Sequence, residues 1–410
     1  MEVKKFNIKA MTGRLLLVVF AAVFMSGCVQ ENSLCPPGRG PLVKKGMTLN
    51  FTLLTRSINK SDKTRALIPA PDPQDGSAAE NYLDVSNMTF LIFKEDGSLL
   101  TTFSPEVTPE NTQYTRYDVS YSVPETLFDY VTGDFVNIYI MAIGNTGNFS
   151  ALPDLDNMFA KSSSFNFPLR GNTISGGSYL WTPDVDAKRG IPMSGMQYFS
   201  IPRTALENSS SENPLNLSRD MGSSSKDLNM LRCMAKVEVI DMIGEVGSNI
   251  ITQVSLTGFN DRGRILPTFD QWQIQTPWET QYVAKTSVPE SVVFNAASPI
   301  LFFKDEAATA LRPDRRAVYS TFLTEFNHTA AGVTIPQVSV QLNIGTTAAP
   351  VTETRSFGLT SYQNGASTNE ATDLLRNNIY RYELRLNMNQ ELVVTVCPRA
   401  EFTTDVPTFE

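Results

Sequence analysis

The chain has 410 residues, of which 41% are apolar and 19% charged, and its formal net charge at pH 7 is −8. An acidic chain lacks the basic surface that phosphate backbones attract, so nucleic acid is not an expected partner. The length and the apolar content suffice for two domains with cores and exclude wholesale disorder. Frequent Thr, Ser, Asn, Val and Phe residues favour strands and turns.

The first 27 residues have the pattern of an export signal. Basic residues in positions 4–14 precede an apolar run at 15–24, which is too short to cross a bilayer as a helix. The Met-Ser-Gly-Cys sequence at 25–28 resembles a bacterial lipobox, in which the cysteine sulfur carries diacylglycerol. We therefore predict a lipoprotein signal peptide at 1–27 and lipidation of Cys28, the alternative being an ordinary signal peptide with a chance cysteine. No later segment is apolar enough to span a membrane.

Three cysteines remain after Cys28, an odd number for an oxidising compartment. Cys233 lies on the apolar face of an alternating strand at 231–239 and is predicted to be a small core residue. Cys35 and Cys397 could form one bridge. The single histidine, His328, lies in a turn-like sequence, and the cysteines lack the close spacing of metal ligands, so neither a metal nor another cofactor is expected.

Alternation of apolar and polar residues recurs along the chain and predicts half-buried strands. The first such strand covers 47–54, with Met47, Leu49, Phe51 and Leu53 on one face. A hairpin at 88–100 turns at Asp96-Gly97. The same alternation occurs at 136–142, 338–344 and 380–386. Many short strands of this kind are typical of antiparallel sandwiches, and the predicted fold class is all-β.

Two polar stretches divide the predicted strands. Residues 55–82 form a long loop behind the first strand, and a Ser-rich stretch follows residue 204. We predict a tether at 28–46, an N-terminal domain at 47–204, a linker at 205–229 and a C-terminal domain at 230–410.

Several short motifs occur in an ordered series along the mature chain. They are Cys28 followed by Glu31 and Cys35-Pro36, Asp84-Val85-Ser86-Asn87-Met88, 135–145 ending in Gly144-Asn145, 191–195, Arg232 with Ala235-Lys236-Val237, and 376–380. This series resembles the Bacteroidales fimbrillin family of type V pilus subunits, in particular its FimB- and Mfa-like anchor class. The resemblance implies two transthyretin-like Greek-key β-sandwich domains in tandem, and no catalysis.

The resemblance also implies a route of assembly. Stalk subunits of the family are cut by an arginine-specific protease after an early loop, which removes the first strand and opens a groove for the last strand of a neighbour. Here the strand at 47–54 would be removed, with Arg65 or Arg56 as the cut site. The alternative is that both are solvated loop arginines, because an anchor subunit has to keep its lipid and its first strand.

The donor strand would lie near the C-terminus. Leu392, Val394 and Val396 share one face of a predicted strand, and a tail follows Pro398. Family members often carry Trp after a proline at this point, where this chain has Arg399. The alternative is that this segment is simply the last strand of the second domain.

These observations predict a structural subunit of a cell-surface fimbrium that anchors it to the outer membrane, contacts stalk fimbrillin by strand exchange and serves cell adhesion. A stalk or tip subunit matured by cleavage is one alternative. A surface glycan-binding lipoprotein is another, with Trp181, Trp272 and Trp278 as stacking platforms. Enzyme activity is not expected, because no catalytic motif stands between a strand and a helix and one histidine leaves little acid-base chemistry.

Overall fold

The computed structural model describes residues 40–55, 77–146, 166–168, 172–173, 179–180, 182–243, 250–259, 262–266, 299–310, 317–324, 335–344, 351–363, 366–371, 374, 376–389, 391–396 and 400–401. The predictions that involve Cys28, Cys35, Arg56, Arg65, Trp181, Trp272, Trp278, His328 and Cys397 fall outside these residues. The elements within the described ranges are mostly strands, as predicted. The helices are short: α1 (Ala78–Asn81), α2 (Arg203–Asn208) and α3 (Glu306–Ala310).

The strands that precede residue 233 are β1 (Thr48–Leu54), β2 (Met88–Lys94), β3 (Leu99–Phe103), β4 (Glu106–Pro109), β5 (Arg116–Ser122), β6 (Phe135–Gly144), β7 (Asn166–Pro168), β8 (Asn172–Thr173), β9 (Tyr179–Leu180), β10 (Met193–Pro202), β11 (Leu215–Asn216), β12 (Leu228–Asn229) and β13 (Leu231–Arg232).

The strands after residue 233 are β14 (Met234–Asp241), β15 (Ile251–Thr257), β16 (Arg262–Arg264), β17 (Ile300–Leu301), β18 (Phe303–Lys304), β19 (Ala317–Thr324), β20 (Gln337–Asn343), β21 (Thr352–Gly358), β22 (Thr360–Gln363), β23 (Ala366–Ala371), β24 (Asn378–Leu386), β25 (Leu392–Val396) and β26 (Ala400–Glu401).

The N-terminal half is a sandwich of two five-stranded sheets. Sheet A has the order β11-β1-β5-β4, with β12 also paired to β1, and sheet B has the order β13-β10-β6-β2-β3. Aromatic side chains pack between the sheets: the ring centroids of Phe51 and Phe90 lie 6.4 Å apart, and those of Phe103 and Tyr121 lie 4.2 Å apart. The predicted hairpin is confirmed as β2 paired with β3, and its turn places Gly97 at a φ of 84°, which favours glycine.

Residues 205–229, which the sequence predicts as a linker, lie against this sandwich. They include most of α2 and the short strands β11 and β12, both of which pair with β1 in parallel. The polar stretch at 55–82, predicted as a loop, ends in helix α1. The hydroxyl of Ser77 accepts from the N–H of Glu80, whose carboxylate accepts from the N–H of Ser77, so the helix begins with a capping box.

The C-terminal half is a second sandwich, built from two six-stranded sheets. Sheet C has the order β21-β20-β15-β17-β9-β8, and sheet D has the order β18-β19-β14-β24-β25, with β26 also paired to β24. The rings of Phe357 in sheet C and Tyr382 in sheet D lie 5.6 Å apart. Strand β14 is central and pairs antiparallel with β19 and parallel with β24. The all-β prediction therefore holds for both halves.

Strand pairing also crosses between the halves. Strands β8 and β9 precede the predicted linker but belong to sheet C, where β9 pairs with β17. Strand β7 pairs with β16. Strand β13 lies in sheet B and β14 in sheet D, so residues 231–241 pass from one sandwich into the other with Cys233 between them. The halves are thus joined by several segments of chain.

Candidate assembly strands and the polar cluster between the sandwiches

Strand β1 is paired on both of its edges. On one side it pairs with β5 along its whole length, from Thr48 opposite Ser122 to Leu54 opposite Arg116. On the other side Leu49 lies opposite Leu215 in β11, and β12 covers the end of the strand. The four apolar residues that the sequence placed on one face, Met47, Leu49, Phe51 and Leu53, are all buried. The strand thus fills the middle of sheet A.

Two serines from the predicted linker complete the outer edge of β1. The N–H of Thr48 donates to Oγ of Ser209 at 3.3 Å, and the N–H of Thr52 donates to Oγ of Ser218 at 3.0 Å. The N–H of Leu217 donates to the carbonyl of Asn50 at 2.7 Å. Because an unpaired strand edge accepts foreign strands, these bonds protect β1 from pairing with another chain.

The chain that leads into β1 is also fixed to the N-terminal sandwich. Leu42 is buried, and its N–H donates to the carbonyl of Val131 at 3.2 Å. The N–H of Lys44 donates to the carbonyl of Glu125 at 3.2 Å, and a guanidinium N–H of Arg203 in α2 donates to the carbonyl of Pro41 at 3.4 Å. The part of the predicted tether that the structure describes is therefore docked from residue 41 onward.

The segment predicted as a donor strand forms β25. It pairs antiparallel with β24, from Leu386 opposite Leu392 to Tyr382 opposite Val396. Val394 is buried and Leu392 is half-buried against the core, whereas the side chain of Val396 lies outside the described set. Leu392 and Val394 are thus packed within this chain, and β25 lies at the end of the strand order in sheet D.

Asn145 joins three of the motifs that the sequence singled out. Its Oδ1 accepts from the N–H of Asp84 at 2.9 Å, and its Nδ2 donates to the carbonyls of Tyr82 and Ile191, each at 2.8 Å. The residue has a φ of 62°, in the left-handed region that Asn tolerates better than most residues. A Cβ at Gly190 would collide with this side chain, so glycine is required there.

A cluster of buried charged side chains lies where the two sandwiches meet, and we call it the Lys236 cluster. Nζ of Lys236 in β14 lies 2.9 Å from Oε1 of Glu80, 3.1 Å from Oε1 of Glu238 and 2.9 Å from Oδ2 of Asp305. Nε of Arg381 donates to Oε2 of Glu238 at 2.7 Å. All five side chains belong to buried residues. Only Glu80 comes from the N-terminal sandwich.

Burial acts to lower the pKa of Lys236, because the charged form loses its hydration. The carboxylates of Glu80, Glu238 and Asp305 outweigh this effect and raise the pKa of Lys236 above its ordinary value. Lys236 is therefore an ammonium ion at neutral pH. Its charge is compensated by residues from three separate segments of the chain.

Arg232 makes a second set of contacts beside this cluster. Its Nη2 donates to Oδ1 of Asn81 at 2.5 Å, its Nε donates to the carbonyl of Glu80 at 3.3 Å, and its Nη1 donates to Oδ1 of Asn377 at 3.5 Å. Nη1 of Arg376 donates to the carbonyl of Ile265 at 2.8 Å. The motifs that carry the family resemblance include Arg232, Lys236 and Arg376. The sequence alone predicted no structural role for these three residues.

Cys233 is buried, as predicted for a small core residue. Its sulfhydryl donates to the carbonyl of Ile265 at 3.2 Å, and the hydroxyl of Ser194 donates to the same carbonyl at 2.7 Å. Ser194 belongs to sheet B and Ile265 to the C-terminal half, so this carbonyl is a further contact between the sandwiches.

No family model matches the chain, and neither does any curated protein. Its structure is similar to that of the tip fimbrial protein Mfa3 from Porphyromonas gingivalis with C-terminal truncation, with 12% identity, a TM-score of 0.48, and coverage of 87% of this chain and 99% of that chain. A fimbrial assembly protein from Parabacteroides distasonis has 13% identity, a TM-score of 0.40, and coverage of 86% and 99%. A protein from Bacteroides eggerthii described as acting in cell adhesion has 12% identity, a TM-score of 0.45, and coverage of 89% and 98%.

These similar structures come from fimbrial and cell-adhesion proteins, the class that the sequence motifs resemble. Within the part of the chain that the structure describes, no helix has both the length and the apolar character needed to cross a bilayer.

Proposed function

We propose that the protein is a structural subunit of a cell-surface fimbrium, and that it anchors the fimbrium to the outer membrane through a lipid on Cys28. The observation that carries the proposal is the position of β1, which is paired with β5 on one edge and with β11 and β12 on the other. A chain that keeps this strand has a complete N-terminal sandwich. A neighbouring strand then finds no groove there, so polymer growth ends at this subunit.

The lipobox supports the same role. Lipidation at Cys28 and retention of β1 require the same uncut segment of chain, because cleavage at Arg65 or Arg56 would remove both. Acyl chains contribute about 0.8 kcal/mol per buried CH₂, so a diacylated cysteine with a further acyl chain holds a protein stably on a membrane. Cleavage would therefore remove both the lipidated Cys28 and strand β1, and an uncut chain would keep both.

The link to the stalk would be made by the other end of the chain. Strand β25 ends the strand order of sheet D and is only five residues long. Transfer of this strand to the open groove of a stalk fimbrillin would exchange its pairing with β24 for pairing in the neighbour. Leu392, Val394 and Val396 would then supply the apolar face.

A stalk or tip subunit is the alternative within the same class of protein. In that case the segment up to Arg65 or Arg56 would be removed, and Met47, Leu49, Phe51 and Leu53 would leave an apolar groove beside β5. The two assignments differ in one measurable property, the first residue of the protein in its native cell.

The deciding experiment is mass spectrometry of the N-terminal peptide of the protein isolated from the outer membrane of its native cell. We expect an acylated Cys28 and loss of fatty-acid labelling in the Cys28→Ala variant, which would move to the soluble fraction. An N-terminus at Ala66 or Ser57 would contradict the anchor assignment and establish a cleaved subunit. An unlabelled Cys28→Ala variant that stays in the membrane would contradict lipid anchoring itself.

A further inference from the structure

Buried charged side chains from both sandwiches meet where Glu80 of the N-terminal half lies against Lys236 of the C-terminal half. We propose that the Lys236 cluster, together with the contacts of Arg232, locks the two sandwiches into a single rigid unit that unfolds cooperatively. This inference concerns the chain itself and does not depend on a role in a fimbrium.

The first support is the course of residues 231–241. In β13, Arg232 lies opposite Met193 of sheet B, and from Met234 onward the same run of chain lies between β19 and β24 in sheet D. The N–H of Cys233, between the two strands, donates to the carbonyl of Pro192 at 2.7 Å. Along this run of chain only Cys233 separates the paired residues of one sandwich from those of the other, which leaves little length for a hinge.

The second support is the ion pair between Glu80 and Lys236, which joins residues 156 positions apart. Glu80 is held by its own helix, since its Oε2 accepts from the N–H of Ser77 at 2.6 Å while Oε1 lies 2.9 Å from Nζ of Lys236. The capping box thus holds the Glu80 carboxylate in place beside Lys236.

The third support is the energetic character of a buried ion pair. Such a pair adds little net stability over an apolar contact, but removal of one partner is costly because it leaves a charge in a medium of low polarity. Glu80 and Lys236 are both buried, with side-chain exposures of 6% each. Separation or misalignment of the sandwiches would break this pair together with the hydrogen bond from Nη1 of Arg232 in sheet B to Oδ1 of Asn377 in the C-terminal half, so one relative orientation is favoured over its neighbours.

The test compares unfolding of the full chain by differential scanning calorimetry, in a Cys28→Ala background that carries no lipid. For the unsubstituted cluster we expect one transition, with the calorimetric enthalpy equal to the van't Hoff enthalpy. In Glu80→Gln, the amide oxygen still accepts from the N–H of Ser77, but the negative charge that the N-terminal sandwich places beside Lys236 is gone. We expect this variant to unfold in two transitions and to exchange amide hydrogens faster at 77–81 and 231–241.

Two matched variants distinguish coupling between the sandwiches from a simple gain in stability. Glu110→Gln removes a carboxylate that pairs with Arg116 at 2.7 Å within the N-terminal sandwich, and it should leave a single transition. Asn377→Gly removes the acceptor of Arg232 Nη1 from the C-terminal half, leaves every charge in place and keeps the positive φ of residue 377 accessible, and it should split the transition as Glu80→Gln does. It also serves as the deciding variant if Glu80→Gln does not fold.

Three results would overturn the proposal. The first is two separate transitions with the cluster intact, because the sandwiches would then unfold independently. The second is a Glu80→Gln or Asn377→Gly variant that melts at a lower temperature but still in one transition, since the contacts would then stabilise without coupling. The third is exchange at 77–81 that rises without any change at 231–241.

Discussion

The N–H of Thr52 donates to the hydroxyl of Ser218 at 3.0 Å, although 166 positions separate the two residues. Ser218 lies in the polar stretch that the sequence presents as a linker. Its contact with the first strand shows why that stretch is ordered: it supplies acceptors to an edge that would otherwise be open.

Deletion of Thr48–Leu54 should turn the protein into aggregates or strand-exchanged oligomers. Leu49, Phe51 and Leu53 would lose burial worth about 1.5 to 3 kcal/mol each, and both flanks of the vacant position would expose backbone groups. Size-exclusion chromatography with light scattering would measure the outcome. A deletion variant that stays monomeric with an unchanged melting temperature would show that the segment is only a tether.

Phe51→Ala should lower the free energy of unfolding by about 3 to 5 kcal/mol, because this fully buried ring packs between sheets A and B. Phe135→Ala is the matched control. Phe135 is 54% exposed, and its loss should change the free energy by no more than about 0.5 kcal/mol. Urea unfolding followed by fluorescence would compare the two variants, and equal losses would contradict the burial argument.

Asn145 offers a test of backbone conformation against hydrogen bonding. Asn145→Gly keeps the left-handed φ accessible but removes three hydrogen bonds, so we expect a loss of about 3 kcal/mol. Asn145→Ala adds the strain of a positive φ, about 1 kcal/mol more. Thermal unfolding of both variants would measure the difference. If the alanine variant were the more stable of the two, the conformational argument would be wrong.

The double variant Leu392→Asp with Val394→Asp tests β25 as the link to the stalk. Two carboxylates on the apolar face would oppose insertion into a neighbour's groove, so fimbriae should detach while the protein stays in the membrane. Circular dichroism and protease resistance must show that the variant is folded. Thr395→Asp, at an exposed position of the same strand, is the control and should leave fimbriae attached. A folded double variant with normal attachment would exclude this strand.

Stability should fall above about pH 10. Burial raises the pKa values of Tyr121, Tyr130, Tyr198 and Tyr319 to about 12, whereas tyrosines of the unfolded chain ionise near 10. The folded state then holds more protons between these values. The corresponding stability is fully present below pH 10 and is lost as the pH rises towards 12.

Melting temperatures between pH 8 and 12 would measure this loss. Tyr319→Phe should reduce the pH dependence, because it removes one hydroxyl that donates to the carbonyl of Ile251 at 2.8 Å. A melting temperature that stays constant between pH 10 and 12 would contradict the shifted pKa values.

Local alternation predicted the strands well but did not reveal long-range pairing. The strand at 47–54, the hairpin at 88–100 and the buried position of Cys233 all follow from residues close in sequence. The short strands β11 and β12 have two residues each, too few to show a period, and their partner β1 lies far away in the chain. Such pairings depend on tertiary contacts, which override local propensity.

The Lys236 cluster could not be predicted from the sequence for a related reason. Alternation in β14 indicates one apolar face and one polar face, and a polar face normally contacts water. The structure buries every residue of this strand, because the charged face meets Glu80 from the other sandwich and Arg381 from the neighbouring strand. A lysine between apolar residues was the available signal, but its partners could not be read from local pattern.

If Cys28 carries a lipid, the docking of Leu42 limits the distance between the N-terminal sandwich and the membrane. With the chain fixed from residue 41 onward, about a dozen residues separate Cys28 from the folded surface, and even a fully extended chain of that length reaches only about 40 Å. A lipid on Cys28 would therefore be joined by a short tether to the surface beside Val131 and Arg203. It would keep that end of the N-terminal sandwich towards the bilayer and leave the surfaces farther along the chain free to meet incoming subunits.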